Sequence, residues 1–102
     1  MTEAQLQKMI VDLARLSGWL CFHIYDSRKS MGAGFPDLVL VHTRTGRVIF
    51  AEIKSASGRI SPAQHVWLRL LSLQSEVYTW TPAQWESDAI RRVLTSERQA
   101  AA

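Results

Sequence analysis

Two nearly continuous apolar runs, Asp37-Leu38-Val39-Leu40-Val41-His42 and Arg47-Val48-Ile49-Phe50-Ala51-Glu52-Ile53-Lys54, are separated only by Thr43-Arg44-Thr45-Gly46. Runs this short, joined this tightly, read as the arms of a β-hairpin, with Gly46 supplying the positive φ of the turn. Strands that are apolar at successive rather than alternate positions are buried on both faces, so helices are expected to cover the sheet. Glu52 and Lys54 interrupt the second arm and share one face of it, because strand side chains alternate. A turn centred between Arg44 and Thr45 sets Asp37 directly opposite Glu52, with Cβ atoms roughly 5 Å apart; a three-residue bulged loop would set it opposite Ile53 instead. Two facing carboxylates repel, and in a partly dry site one of them must protonate. A divalent cation converts that repulsion into shared coordination by hard oxygen ligands, which is a physical reason to expect Mg²⁺ or Mn²⁺.

The rest of the chain supplies the covering elements. Thr2 and Gln5 form a capping box ahead of a helix whose stripe is Leu6, Met9, Ile10, Leu13 and Leu16, and Gly18 falls where a left-handed cap ends it. Residues 19–25 read as a strand rich in aromatics, followed by a polar loop from Asp26 to Gly34. Ser61, Pro62 and Gln64 occupy the cap, first and third positions of a second helix with the stripe Ala63, Val66, Trp67, Leu70 and Leu71. Residues 77–80 form a short strand, and Thr81-Pro82-Ala83-Gln84 opens a third helix running to about Leu94. The predicted fold is α/β, a mixed β-sheet flanked by helices in the order α-β-β-β-α-β-α.

With 102 residues there is room for one domain, read here as residues 1–94, with 95–102 as a fraying tail. The composition, 47% hydrophobic and 21% charged, excludes general disorder. No apolar run approaches the ~18 residues of a membrane span, and the N-terminus has no signal-peptide core. The lone Cys21 cannot close an internal disulfide and reads as a buried spectator, so the expected location is cytoplasmic. A net charge of +3 permits a nucleic-acid partner without requiring one. His23, His42 and His65 are too scattered for a metal triad. His23 shares strand parity with Trp19, Cys21 and Tyr25 and either lines the site or is a hydrogen-bonded, partly buried histidine. Glu3 lies on the core-facing stripe of the first helix, where it either complements the helix dipole or points at the metal.

Gly34-Phe35-Pro36-Asp37, followed after fifteen residues by Glu52-Ile53-Lys54, resembles the PD-(D/E)XK nuclease signature. More narrowly, the chain resembles the VRR-NUC family, including its small stand-alone phage-type members. The likeness extends to Glu3 and Gln7, to Gly34 through Val41, to Phe50 through Lys54, to Gly58 through Gln64, to Trp67-Leu68 and to Val77-Tyr78 with Trp80-Thr81-Pro82. It thus covers roughly residues 2–94 and implies a restriction-endonuclease-like core and metal-dependent phosphodiester hydrolysis. Asp37, Glu52 and the Ile53 carbonyl would hold Mg²⁺ or Mn²⁺, with Glu3 behind or linked to the metal. Lys54 would orient the nucleophile or offset negative charge. Gln64 matches an active-site glutamine of the family, although the Ser61 capping box explains it equally well. The resemblance also implies 5′-phosphate and 3′-hydroxyl products.

Arg28, Lys29 and Arg59 flank the loops bordering this site and are the expected DNA contacts. A non-catalytic DNA-binding module on the same fold is the rival reading, and RNA is a weaker alternative as substrate. Two-strand cutting by one site per chain calls for a two-fold homodimer, and the resemblance to small stand-alone family members implies dimers acting on branched, four-way-junction DNA, whose own symmetry would match. Val77, Tyr78, Trp80 and Trp85 are more apolar material than a small domain is expected to bury, and are expected at an interface; a monomer would instead pack Trp80 and Trp85 over its own sheet.

Overall fold

The computed structural model describes residues 1–24 and 32–96. Helix α1 (Glu3–Leu16) is followed by strands β1 (Trp19–His23), β2 (Leu38–His42) and β3 (Val48–Ile53). Helix α2 (Pro62–Leu71), strand β4 (Glu76–Trp80) and the short helices α3 (Pro82–Glu86) and α4 (Ala89–Thr95) complete the chain. The four strands form one mixed sheet in the order β1-β2-β3-β4. The first two pairings are antiparallel and β3–β4 is parallel, a pairing that requires a crossover, here α2.

The local signals act as read. Thr2 and Gln5 exchange hydrogen bonds in a capping box, and Ser61 and Gln64 do the same at α2 with Pro62 in the first turn. Gly18 and Gly46 take φ values of 93° and 73°, which end α1 and close the hairpin. One difference is the third helix. Asp88 adopts φ 65° and breaks the expected single helix into α3 and α4. Aspartate is among the few residues that enter this region at modest cost. The break turns Ile90 and Leu94 into the core, where both are buried.

That core lies on one face of the sheet. Leu6, Ile10 and Ala14 of α1 and Ile90 and Leu94 of α4 pack on Trp19, Leu38, Leu40, Ile49, Ala51, Ile53 and Trp80. The opposite face is only partly covered, contrary to the two-sided burial expected. Phe35 meets Phe50 and Trp67 edge-to-face at ring separations of 5.9 and 5.1 Å. Toward the β1 edge, Leu20 and Phe22 are 64% and 61% exposed. Helix α2 contributes no fully buried residue, and Val66 and Leu70 of its stripe face solvent. Trp67, read as core, is half-buried and donates its indole N–H to the Ala33 carbonyl.

The late aromatics, by contrast, belong to the chain's own core. Trp80 is buried and stacks on Tyr78, and Trp85 packs against the core cluster. They are not the interface surplus the sequence suggested.

Arg47 ties the far end of the sheet together. Its guanidinium makes a paired contact with the Glu76 carboxylate, one bond at 2.8 Å, and donates to the carbonyls of Val93 and Ser96 at 3.2 Å. It also lies 5.4 Å from the centre of the Trp19 ring. Arg47 and Glu76 are mostly buried, each side chain 11% exposed, and removing one member of such a hydrogen-bonded ion pair strands the other charge. Arg47→Ala is therefore expected to cost about 3 kcal/mol, read as a lowered urea midpoint with an unchanged slope; a loss below about 0.5 kcal/mol would show the network to be dispensable.

Candidate active site

The hairpin register decides the site. Leu38 pairs with Ala51, Val39 with Phe50, Leu40 with Ile49 and Val41 with Val48. One step further this register sets Asp37 opposite Glu52, the arrangement predicted for a turn centred between Arg44 and Thr45. The bulged alternative is excluded. Ile24 N–H donates to the Asp37 carbonyl at 3.2 Å, so the strand edge is held on its other side as well.

Asp37 is fixed by its neighbours. One carboxylate oxygen accepts the Ile53 N–H at 2.8 Å. The preceding loop is pinned by the Phe35 ring, which meets Phe50 and Trp67, and by buried Pro36. Gly34 has φ 90°, and a Cβ there would come within 2.6 Å of the Ala63 carbonyl carbon. Only glycine lets the loop lie this close to the start of α2.

Glu52 is the anomaly of the structure. It is fully buried, and neither of its oxygens has a hydrogen-bond partner among the described residues. Lys54 Nζ approaches one oxygen only to 4.0 Å. Burial, first, and then the facing Asp37 carboxylate, as proton-sharing partner and as like charge, push the Glu52 carboxyl up to about 8, while Lys54 pulls it the other way. A buried carboxylate lacking a donor is costly and needs a compensating group. The chemistry of the donor set, two facing carboxylates with no donor on Glu52, fits a hard cation.

Lys54 is held over this pair by its stem. The Cα of Gly58 sits so close that a side chain there would meet Lys54 Cβ and Cδ at 3.3 Å. Gly58 thus shapes the site without touching the acids, a role that a loop glycine in the sequence does not announce.

Asp37 also lines a groove of about 630 Å³ between α1 and the β1 edge, together with Glu3, Gln7, Cys21 and His23. Glu3 is exposed at the α1 end of this groove. Among the described residues, no three His, Cys, Asp or Glu side chains gather closely enough to hold a metal together. Glu3 therefore shares the groove without closing a three-carboxylate cage. The Gln64 side-chain oxygen accepts the Ser61 N–H at 2.8 Å, the capping role. Arg59 is exposed on the loop between Lys54 and α2, whereas Arg28 and Lys29 lie outside the described residues. Burial raises the Cys21 thiol, as fits a spectator. His42 is tied to the Ser17 carbonyl at 3.0 Å, away from the acids. Gln7 and His23, sixteen residues apart and not linked by any sequence signal, meet in the groove: the Gln7 amide nitrogen lies 3.0 and 2.9 Å from the two His23 ring nitrogens.

A mixed sheet with helices packed on it, whose central hairpin opens onto two facing carboxylates and a lysine, defines a nuclease-type domain of the restriction-endonuclease-like class. The family model of the VRR-NUC domain matches residues 2–81, and the chain belongs to that family. No curated protein and no solved structure matches it. The family makes this a DNA-binding, DNA-cleaving domain. Helices α3 and α4 lie beyond the matched residues and complete the core. Among the described residues, no helix is long and apolar enough to cross a membrane.

Proposed function

We propose that the protein is a Mg²⁺- or Mn²⁺-dependent endonuclease that hydrolyses phosphodiester bonds in branched, four-way-junction-like DNA. The observation that carries the metal dependence is the buried Glu52 carboxylate, without a donor, facing Asp37. Asp37, Glu52 and the Ile53 carbonyl hold the ion. When bound, it supplies Lewis-acid stabilisation of phosphate charge and an activated water at neutral pH.

The chain's own residues prepare that chemistry. The Ile53 N–H orients Asp37, which keeps one oxygen committed to the backbone and the other available. The dry surroundings of Glu52 strengthen every charge interaction at the site. Lys54, only 14% exposed, presents its ammonium beside the acids, where it orients the nucleophile or offsets charge developing on the phosphate. Glu3 acts from the groove behind Asp37, and Arg59, with Arg28 and Lys29, contacts the DNA backbone. Gln64 adds its amide N–H₂ to the site while its oxygen caps α2.

Branched DNA is supported by the resemblance to small stand-alone family members, and a two-fold dimer would offer two sites to such a two-fold substrate. The exposed apolar residues available to a second copy are Leu20 and Phe22 on edge strand β1, and Val66, Leu70 and Leu73 in and just after α2. Light scattering at micromolar concentration is expected to give twice the 11.6 kDa chain mass. A monomer mass would remove the dimer.

The experiment for the reading as a whole compares a four-way junction with linear duplex of the same arms in Mg²⁺. Paired incisions on the junction, with slower duplex cutting, are expected. Equal rates would remove the branched substrate. Binding with no cutting in either Mg²⁺ or Mn²⁺ would favour the non-catalytic module.

A further inference from the structure

We infer that the outer edge of α2, through His65 and Arg69, is a track for the DNA backbone, so that a duplex arm leaves the Asp37–Glu52 site along this helix and not along the groove beside α1. This rests on the nuclease reading above and adds a direction and two residues to it. Helix α2 begins at the site. Gly34, in the loop that leads to Asp37, lies against Ala63 in the first turn of α2, and Gly58, packed on the Lys54 stem, stands directly before Arg59. Because β3 and β4 are parallel, the helix that joins them runs back along the sheet, away from the carboxylates.

Charge singles this edge out. Residues 53–75 contain no Asp or Glu but hold Lys54, Arg59, His65 and Arg69. Arg59, His65 and Arg69 are exposed, and among the described residues no ion pair or hydrogen bond holds their side chains. Lys8 and Arg91, by contrast, are each paired with an acid, Asp12 at 2.7 Å and Asp88 at 3.0 Å, and Arg47 is paired with Glu76. The groove beside α1 is lined by Glu3, Asp12 and Asp37 as well as by Lys8 and Arg15, a mixed field that does not draw in a polyanion. His65 and Arg69 are one helical step of i to i+4 apart on the same face, about 6 Å along the axis, close to the rise of two nucleotides in one strand of a duplex. Both can therefore meet phosphates of one strand, Arg69 through its charged fork and His65 as an N–H donor. Val66 and Leu70, each one residue further on, are turned by about 100° around the helix. The apolar edge offered to a second copy and the basic edge offered to DNA thus do not compete.

The test measures affinity for a fluorescein-labelled four-way junction by anisotropy in Ca²⁺ across a KCl series, with light scattering on the same variants. Arg69→Ala is expected to weaken binding about 10-fold, as for one hydrogen bond to a charged group, and to lower the slope of log affinity against log salt by about 0.9, the loss of one phosphate contact. His65→Ala should weaken binding about 3-fold, as for a neutral donor. Arg69→Gln keeps the helix and loses the charge; it should lower the slope as Arg69→Ala does, and it carries the test if the alanine variant does not fold. Arg15→Ala, on the α1 side, should bind within twofold of wild type. Wild-type affinity and slope for Arg69→Gln and Arg69→Ala, or an equal loss in Arg15→Ala, would overturn the track. A changed mass for Arg69→Gln with unchanged DNA affinity would also overturn it, by making this edge a protein interface. The affinities need no cleavage, so a wild type that binds but does not cut counts against the metal-dependent activity alone.

Discussion

Asp37→Asn is expected to reduce Mg²⁺-dependent cleavage at least about 10³-fold while leaving the fold intact. The magnitude is that of losing a group that stabilises charge in the transition state, about 4 kcal/mol or more. The fold should survive because an asparagine oxygen can still accept the Ile53 N–H that Asp37 accepts at 2.8 Å. Only the charge is lost, and the charge is what a hard cation requires. Lys54→Ala should lower the rate comparably with little change in metal affinity, since its ammonium lies beside the acids and its stem rests on Gly58. Initial rates on supercoiled plasmid, with circular dichroism on the same samples, check both. Wild-type rates for Asp37→Asn would exclude it as a ligand.

The second large effect concerns the metal-free protein. A Glu52 carboxyl raised from 4.5 to about 8 binds its proton more tightly in the folded chain than in the unfolded one. The contribution to stability is thus fully present below about pH 4.5 and is lost as pH rises to about 8. The whole difference is on the order of 5 kcal/mol, from the value of one pKa unit. Urea unfolding in EDTA should show stability falling through this window in the wild type. Glu52→Gln, which carries no charge to bury, should flatten the slope and be the more stable chain at pH 8. Saturating Mg²⁺ should reverse the wild-type loss, because a cation that binds only the folded state stabilises it. A flat wild-type profile in EDTA would mean that Glu52 is not held in a dry, like-charged setting.

The hairpin register that frames the candidate site was more legible in the sequence than the packing around it. The register of the hairpin could be read because Gly46 and a short polar turn leave few ways to join the arms, and Asp37 then falls opposite Glu52. Helix starts were legible for the same reason: Thr2 with Gln5 and Ser61 with Gln64 are chemical signals local in the chain. What failed was inference from apolar character to burial. The Val66 and Leu70 stripe has helical periodicity, but periodicity does not say what covers a face, and here solvent does. Trp80 was misread in the opposite sense. It pairs with Ile53 in the parallel ladder, so the sheet face that buries Ile53 buries it too. The break at Asp88 carried a sequence signal, an aspartate able to adopt positive φ, but the apolar spacing of Ile90 and Leu94 continued across it. The meeting of Gln7 with His23 had none, because it depends on how α1 crosses the edge strand.

The central claim is that Asp37 and Glu52 hold a divalent cation that makes this domain an active nuclease. Relaxation of supercoiled plasmid by the purified protein, titrated with Mg²⁺ from an EDTA-treated start and run beside Glu52→Gln, tests it most directly. Saturable, Mg²⁺-dependent nicking by the wild type, none in EDTA and none by Glu52→Gln is the predicted result; nicking that persists in EDTA, or at the wild-type rate in Glu52→Gln, would contradict it.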